Sequence, residues 1–150
     1  MSGSRQLATK GTLELQISDH LSELEGVSET MENFAEEHQL GFAVVTKVNI
    51  ILDEVLSNII KYGETADKSL SKSIGLVVES GENGSLQITV SDNCAPFNPL
   101  ERDDPDTSTD LESREIGGLG IYLVKKLANS VTYEWRANKN ILKIELGTDS

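Results

Sequence analysis

Hydrophobic and polar residues alternate in several short segments of the chain and recur at helical spacing in others. Alternation predicts half-buried strands, whereas recurrence every three or four residues predicts amphipathic helices. The strands predicted in this way cover 12–17, 74–79, 86–91, 131–136 and 141–146. A first helix carries apolar residues from Leu21 to Ala35 and could be capped by Ser18 or Asp19. Helices at about 42–62 and 120–129 follow, and the wide apolar face of 42–62 predicts a central, deeply buried helix.

Helices and strand pairs are segregated along the chain, in the order β-α-α-β-β-loop-α-β-β. This order is typical of an α+β protein with two layers, a mixed but mostly antiparallel sheet and helices on one face. Turns are predicted around 81–84, where Asn-Gly is a strong hairpin signal, and across 138–140. The length of 150 residues suits one domain, which we expect at 12–146, with a flexible tail at 1–11 and a short tail at 147–150.

The composition argues against several classes of function. Acidic residues outnumber basic ones by 25 to 13, which gives a net charge of -12 and leaves no basic face for nucleic acid or for an anionic membrane. Cys94 is the only cysteine, so neither an intramolecular disulfide nor a zinc site built from several thiolates can form. No apolar run approaches the roughly 20 residues that span a bilayer, and no secretion signal is evident, so we expect a cytoplasmic protein.

The central helix carries the first candidate chemistry. Glu54 and Asn58 are four residues apart and therefore share one helix face, beside the apolar residues of that helix. An amide oxygen is a ligand that Mg²⁺ accepts, and a carboxylate can act as a base or hold a metal-bound water. The same spacing also fits an ordinary solvated pair at the polar edge of the helix.

Two further motifs follow at the ends of predicted elements. Asp92 comes directly after a strand and could accept a hydrogen bond from an amino group, although Asp, Asn and Pro in this segment also fit a simple turn. Gly117-Gly-Leu-Gly120 opens the last helix, where backbone amides could bind an anion or merely form a glycine-rich turn. The stretch 101–115, with seven acids and two bases, is either a solvated loop or a lid over a ligand.

The order of these motifs resembles the Bergerat-fold ATPase superfamily. The resemblance covers about 12–146 and depends on three segments, Asp53-Glu-Val-Leu-Ser-Asn58 through Gly63, Asp92 through Leu100, and Gly117 through Val124. Within that superfamily, the chain looks most like the anti-sigma-factor serine/threonine kinases. The resemblance implies a two-layer ATP-binding fold and ATP with Mg²⁺ as cofactors.

The resemblance also implies a role for each motif residue. Asn58 would bind the Mg²⁺ that bridges the phosphates, and Glu54 would be the general base. Asp92 would accept a hydrogen bond from the adenine amino group. The remaining cofactor-binding positions, with 101–116 as the lid, would be Gly117, Gly118, Leu119 and Gly120.

The chain departs from the family pattern at two places. Cys94 stands where the family usually has the glycine of D-x-G, and its side chain could crowd the adenine pocket. Tyr62-Gly63 stands where the family often has His-Gly or His-Ala. Neither difference removes a presumed catalytic group.

Three functions remain open at this stage. In the first, the chain phosphorylates a small STAS-type anti-sigma-factor antagonist, binds a sigma factor in a partner switch, and forms a homodimer through its first strand and helix. In the second, it is a protein-binding regulator that is gated by nucleotide, or independent of it, without kinase activity. In the third, it is an ATPase whose substrate is water. Apolar residues of the first strand and helix would serve a dimer or a monomer core equally well.

Overall fold

The computed structural model describes residues 5–9, 11–81, 84–101 and 118–147. Six strands form one sheet in the order β1-β2-β3-β4-β6-β5, and each neighbouring pair is antiparallel. The strands are β1 (Arg5–Thr9), β2 (Thr12–Ile17), β3 (Ile74–Ser80), β4 (Leu86–Asp92), β5 (Ser130–Arg136) and β6 (Lys139–Leu146). The predicted antiparallel character of the sheet is confirmed, and the described strands contain no parallel pair.

Three helices pack on one face of this sheet and confirm the predicted α+β fold. They are α1 (Glu23–Glu37), α2 (Phe42–Tyr62) and α3 (Gly118–Leu127), and a 3-10 turn covers Pro99–Glu101. Alternate residues of the inner strands share one buried face because the register is in phase: Leu15 lies opposite Leu76, which lies opposite Val90. The core joins these positions to the buried faces of the helices, so α2 is central as its wide apolar face predicts.

The N-terminal region contributes a strand that the hydrophobic pattern did not predict. Residues 1–11 were expected to be a tail, but Arg5–Thr9 within them pair with β2. Gly11, with φ +79°, lies between the two strands in a backbone conformation that glycine adopts without steric cost. Leu13, Leu15 and Ile17 of β2 are buried in the core of the protomer.

The start of α1 differs from the predicted cap. Ser22 is the N-cap residue and makes no capping hydrogen bond with its side chain, so the assignment of the cap to Ser18 or Asp19 is wrong. The backbone N–H and hydroxyl of Ser18 instead donate to Oε1 of Glu23 at 3.4 and 3.3 Å. Asp19 forms an ion pair with Lys72 at 3.0 Å.

The turn between β5 and β6 lies earlier in the chain than predicted. Ala137 and Asn138 have φ of 55° and 62°, and the flanking residues Arg136 and Lys139 are paired. Positive φ at both central positions is favoured in two-residue hairpin turns because it matches the twist of the strands. Asn140 was expected in this turn but is part of β6, opposite Asp92 of β4. In the part of the chain that the structure describes, no helix is long and apolar enough to cross a membrane.

Candidate functional site

A cavity of about 530 Å³ opens between α2, the end of β4, α3 and β6. Glu54, Asn58, Asp92 and Gly120, which the sequence singled out separately, all line it. The volume lies within the range of small-molecule and cofactor sites. Much of the wall between the polar groups is aliphatic, from residues of the core. The fold therefore brings the three motifs together around one space.

Helix α2 presents Glu54 and Asn58 to the cavity at the edge of its buried face. Ile51 and Leu56 are buried in the core, and Val55 is buried and also lines the cavity beside the two polar side chains. Both polar side chains are half-buried. Their convergence on one cavity is the placement that the four-residue spacing predicts.

Gly120 leaves room for both of these side chains. A Cβ atom added at Gly120 would lie 2.6 Å from Oε2 of Glu54 and 3.2 Å from Nδ2 of Asn58. Because 2.6 Å is far inside van der Waals contact, a larger residue would have to displace the carboxylate. The N-terminus of α3 thus abuts the pair on α2, and an unpaired helix N-terminus supplies backbone N–H donors that favour an anion. Of the other glycine-motif residues, Gly118 and Leu119 begin α3, while Gly117 and most of the proposed lid lie outside the described residues.

Asp92 ends β4 and is only 8% exposed. Its Oδ1 atom accepts hydrogen bonds from the backbone N–H of Cys94 and from Nδ2 of Asn140, both at 2.9 Å. A carboxylate has about four acceptor positions, so these two bonds orient the group without exhausting its capacity. Asp92 can therefore hold an additional donor in the cavity.

Cys94 is accommodated by the glycine at position 63. A Cβ atom on Gly63 would lie 2.7 Å from Sγ of Cys94, so the missing side chain on one residue provides the space that the other fills. Burial raises the pKa of the Cys94 thiol to about 12, and the charge of Asp92 and the hydrogen bond to it contribute. The thiol is therefore neutral at physiological pH and unreactive as a nucleophile. Cys94, one of the departures from the family pattern, is thus packed against Gly63.

The segment after α2 and the segment after β4 are joined along one side of the cavity. Thr65 forms an isolated antiparallel bridge with Cys94, and the N–H of Ala95 donates to the carbonyl of Glu64 at 2.8 Å. Lys72 donates through Nζ to the carbonyls of Ile59 and Ile60, both at 2.9 Å. A cation at the C-terminus of a helix satisfies unpaired carbonyls and complements the helix dipole. These contacts fix the end of the helix that carries Glu54 and Asn58.

Asn140 belongs to the site and was missed by the motif analysis. It lines the cavity, is 8% exposed, and bonds to Asp92 and to the segment that follows. A signal for it exists in the alternation of β6, because counting back in steps of two from Leu146, Ile144 and Leu142 reaches Asn140 on the same inward face. The asparagine-rich turn signal outweighed that pattern.

The side chains at the cavity suit a Mg²⁺ ion that takes most of its coordinating oxygens from a bound small molecule and water. Among the described residues there is no group of three or more His, Cys, Asp or Glu side chains that could hold a metal ion. Mg²⁺ in nucleotide sites commonly takes one or two protein oxygens and completes its shell with phosphate oxygens and water. The amide oxygen of Asn58, with Glu54 beside it, fits that pattern.

Comparisons with known proteins agree with this geometry. A family model described as the histidine kinase-like ATPase domain matches residues 11–146. A search of curated proteins finds no significant match. Among solved structures, the RsbU and RsbW domains of Rv1364c from Mycobacterium tuberculosis match with a TM-score of 0.64 at 11% identity, covering 93% of this chain and 33% of that one. The chain thus spans about a third of that protein.

A second structure, the histidine kinase domain of the blue-light activated histidine kinase EL346 from Erythrobacter litoralis, matches with a TM-score of 0.51 at 15% identity. That match covers 95% of this chain and 70% of the other. At these identities the two structures establish likeness of fold. Because the family model extends over nearly the whole chain, the protein belongs to the histidine kinase-like ATPase domain family.

Proposed function

We propose that the chain binds Mg-ATP in the cavity and transfers the terminal phosphoryl group to a serine or threonine of a partner protein. The observation that carries this proposal is the convergence of Glu54, Asn58, Asp92 and Gly120 on one cavity of nucleotide size. Each of the first three supplies a different function: Glu54 a general base, Asn58 a metal ligand, and Asp92 a hydrogen-bond acceptor for the adenine ring.

The proposed roles are those that the family resemblance implies, and the chemistry of the groups is compatible with them. Asp92, oriented by its bonds to Cys94 and Asn140, would accept a hydrogen bond from the adenine amino group. Asn58 would hold Mg²⁺, which neutralises phosphate charge when bound. Glu54 would accept the proton of the attacking hydroxyl. Phosphoryl transfer depends mainly on positioning and charge neutralisation, so the close fit of Gly120 against Glu54 would contribute directly.

The proposed partner is a STAS-type anti-sigma-factor antagonist, with a sigma factor as a second partner in a switch that regulates transcription. This proposal is supported by the resemblance of the motifs to anti-sigma-factor kinases and by the fold likeness to a structure that contains an RsbW domain. The net charge of -12 suits partners with a basic face. We also propose a homodimer that uses the region of α1, where Leu21 is 47% exposed. A monomeric mass by light scattering at tens of micromolar would contradict the dimer.

Calorimetric titration of Mg-ATP tests the nucleotide site. We expect the wild type to bind and Asn58→Ala to lose most of the Mg²⁺-dependent affinity. Asn49→Ala is the matched control, because Asn49 lies on the same helix but outside this cavity, where it bonds to Ser28. A well-folded wild type that does not bind Mg-ATP would refute the proposal.

The role of Glu54 is tested by phosphoryl transfer from labelled ATP to purified STAS-type proteins. Glu54→Gln should abolish transfer and leave Mg-ATP binding intact, since the amide cannot accept the proton. Asp53→Asn is the matched control, because Asp53 is adjacent and exposed but does not line the cavity. Transfer that survives in Glu54→Gln would exclude Glu54 as the base.

A second candidate function is a protein-binding regulator without kinase activity, gated by nucleotide or independent of it. The specific observation that favours it is Cys94, whose side chain lies at the cavity beside Asp92, at the usual glycine position of the family. Partner binding by the wild type that is unchanged by Mg-ATP, together with no transfer to that partner, would select this function.

A further inference from the structure

Asn140 makes hydrogen bonds that converge from three parts of the fold. Its Nδ2 group donates to Oδ1 of Asp92 at 2.9 Å and to the carbonyls of Cys94 and Ala95 at 3.2 and 3.1 Å. Its Oδ1 accepts from the backbone N–H of Phe97 at 2.9 Å and from the hydroxyl of Tyr133 at 2.5 Å. The side chain is thus saturated by protein partners on both its donor and acceptor sides.

The orientation of this amide is determined by its partners. A flipped amide would turn its NH₂ group toward the N–H of Phe97 and its oxygen toward the Asp92 carboxylate and the two carbonyls. That arrangement would oppose donors to donors and acceptors to acceptors in a buried position, which is costly. Asn140 therefore has a single favourable state, and this state holds Asp92 and the backbone of 94–97 in one relative arrangement.

We propose that Asn140 is a positioning residue that sets the preference of the site for a base with an exocyclic amino group. This inference rests on the proposed function, in which Asp92 accepts a hydrogen bond from that amino group. The side chain of Asn140 bonds to protein groups and not to the ligand. It fixes the rotation of the Asp92 carboxylate and the course of the cavity wall after β4.

The physical reason is that a carboxylate recognises an amino group only while its oxygen points at it. The bonds from Cys94 N–H and from Asn140 both reach Oδ1, so they clamp that oxygen from two sides. Without Asn140, the carboxylate would keep only the local bond to Cys94 and could turn toward water. The site would then discriminate less between nucleotides. In the wild type, a base without the amino group leaves a fixed carboxylate oxygen without a donor, and this penalty would be lost.

A purely structural role for Asn140 makes a different prediction. If the side chain merely stabilised the sheet, its loss would lower the stability of the fold and weaken the binding of all nucleotides equally. The ratio of affinities for ATP and for inosine triphosphate separates the two roles, because inosine differs from adenosine at the position of the amino group. Ile144→Val provides a matched control, since Ile144 is buried on the same face of β6 but does not line the cavity.

The experiment is calorimetric titration of Mg-ATP and Mg-ITP into the wild type, Asn140→Leu and Ile144→Val, each checked for folding by thermal denaturation. Leucine keeps the branched shape and the number of side-chain heavy atoms of asparagine, and it removes all of its hydrogen bonds. We expect Asn140→Leu to lower the ratio of ATP to ITP affinity by about tenfold or more, the effect of losing a hydrogen bond to a charged group. Ile144→Val should keep the wild-type ratio.

Tyr133→Phe is the second variant, in case Asn140→Leu does not fold. It removes one bond to Oδ1 of Asn140 and leaves the bond from Phe97, so we expect a smaller fall in the same ratio. An unchanged ratio in a folded Asn140→Leu, or in Tyr133→Phe if that is the only folded variant, overturns the inference and leaves the proposed function standing. A wild type that binds ATP and ITP equally also overturns it, and a folded wild type that binds neither overturns both.

Discussion

Gly120→Ala is expected to separate the stability of the fold from the chemistry of the cavity. The new Cβ would lie 2.6 Å from Oε2 of Glu54, whereas ordinary contact begins at 3.4 Å, so the carboxylate must move by about 0.8 Å. The carboxylate is the end of a flexible side chain, and the backbone need not shift. Alanine also favours the helix over glycine by up to about 1 kcal/mol. The variant should therefore be as stable as the wild type or slightly more stable.

The rate of ATP turnover should fall, even though the stability of the fold is kept. A misplacement of about 1 Å in a catalytic constellation can lower the rate about a hundredfold. The predicted contact of 3.2 Å with Asn58 is milder, so Mg-ATP affinity should fall less than turnover does. The assays are thermal denaturation, calorimetry with Mg-ATP, and single-turnover consumption of labelled ATP.

Gly26→Ala is the control for the helix effect. Gly26 lies in α1, and a Cβ added there meets nothing within 4 Å. It should gain the same kind of stability and leave binding and turnover unchanged. Wild-type turnover in a folded Gly120→Ala would refute the reasoning, because it would mean that the position of the Glu54 carboxylate against α3 does not govern the reaction.

Three further predictions concern the surroundings of the cavity. Gly63→Ala should destabilise the fold by about 2 kcal/mol through the clash with Cys94 and a backbone carbonyl, and adding Cys94→Gly should restore part of it in a urea-unfolding double-mutant cycle. Folding raises the thiol pKa of Cys94 from 9.0 to about 12, so the contribution of the neutral thiol to the free energy of unfolding is complete below pH 9 and is lost as the pH rises toward 12. The stability of the wild type should therefore fall more steeply above pH 9 than that of Cys94→Ala. An equally steep fall in both proteins would contradict the assignment. Lys72→Met should cost about 2 kcal/mol in urea unfolding, because it removes the hydrogen bonds to the carbonyls of Ile59 and Ile60 and the ion pair with Asp19. Lys68→Met, at an exposed pair, should have no measurable effect, and equal effects of the two variants would argue against the helix-end role.

Elements with strong periodicity could be predicted from the sequence with accurate bounds. Strand β2 and helix α2 begin and end where their alternation and helical spacing predict, because each has one continuous apolar face to bury. Strand β1 was missed since Arg5–Thr9 contains a single large hydrophobic residue, and its pairing comes from the neighbouring strand. Pairing partners of an edge strand are a tertiary property that local pattern does not carry.

The same distinction applies to the site. The convergence of Glu54 and Asn58 could be predicted, because helical geometry alone places them on one face. The contact of Gly120 with Glu54 and that of Gly63 with Cys94 depend on how helices and loops from distant parts of the chain pack, so spacing does not reveal them. Asn140 was hidden because an Asn-Lys-Asn sequence favours a turn, whereas the register of β6 against β4 decides its position.

The place of β6 in the sheet has a consequence for the order of events during synthesis. This strand is the last of the described elements, yet it lies between β4 and β5 and provides the neighbour of Asp92. A nascent chain that lacks β6 can form α1, α2 and the strands β2, β3 and β4, but the wall after β4 lacks the hydrogen bonds that Asn140 makes to it. On the proposed function, we therefore expect nucleotide to bind only when the final strand has left the ribosome and inserted, so a ribosome-stalled chain that ends before Lys139 should be inert toward ATP.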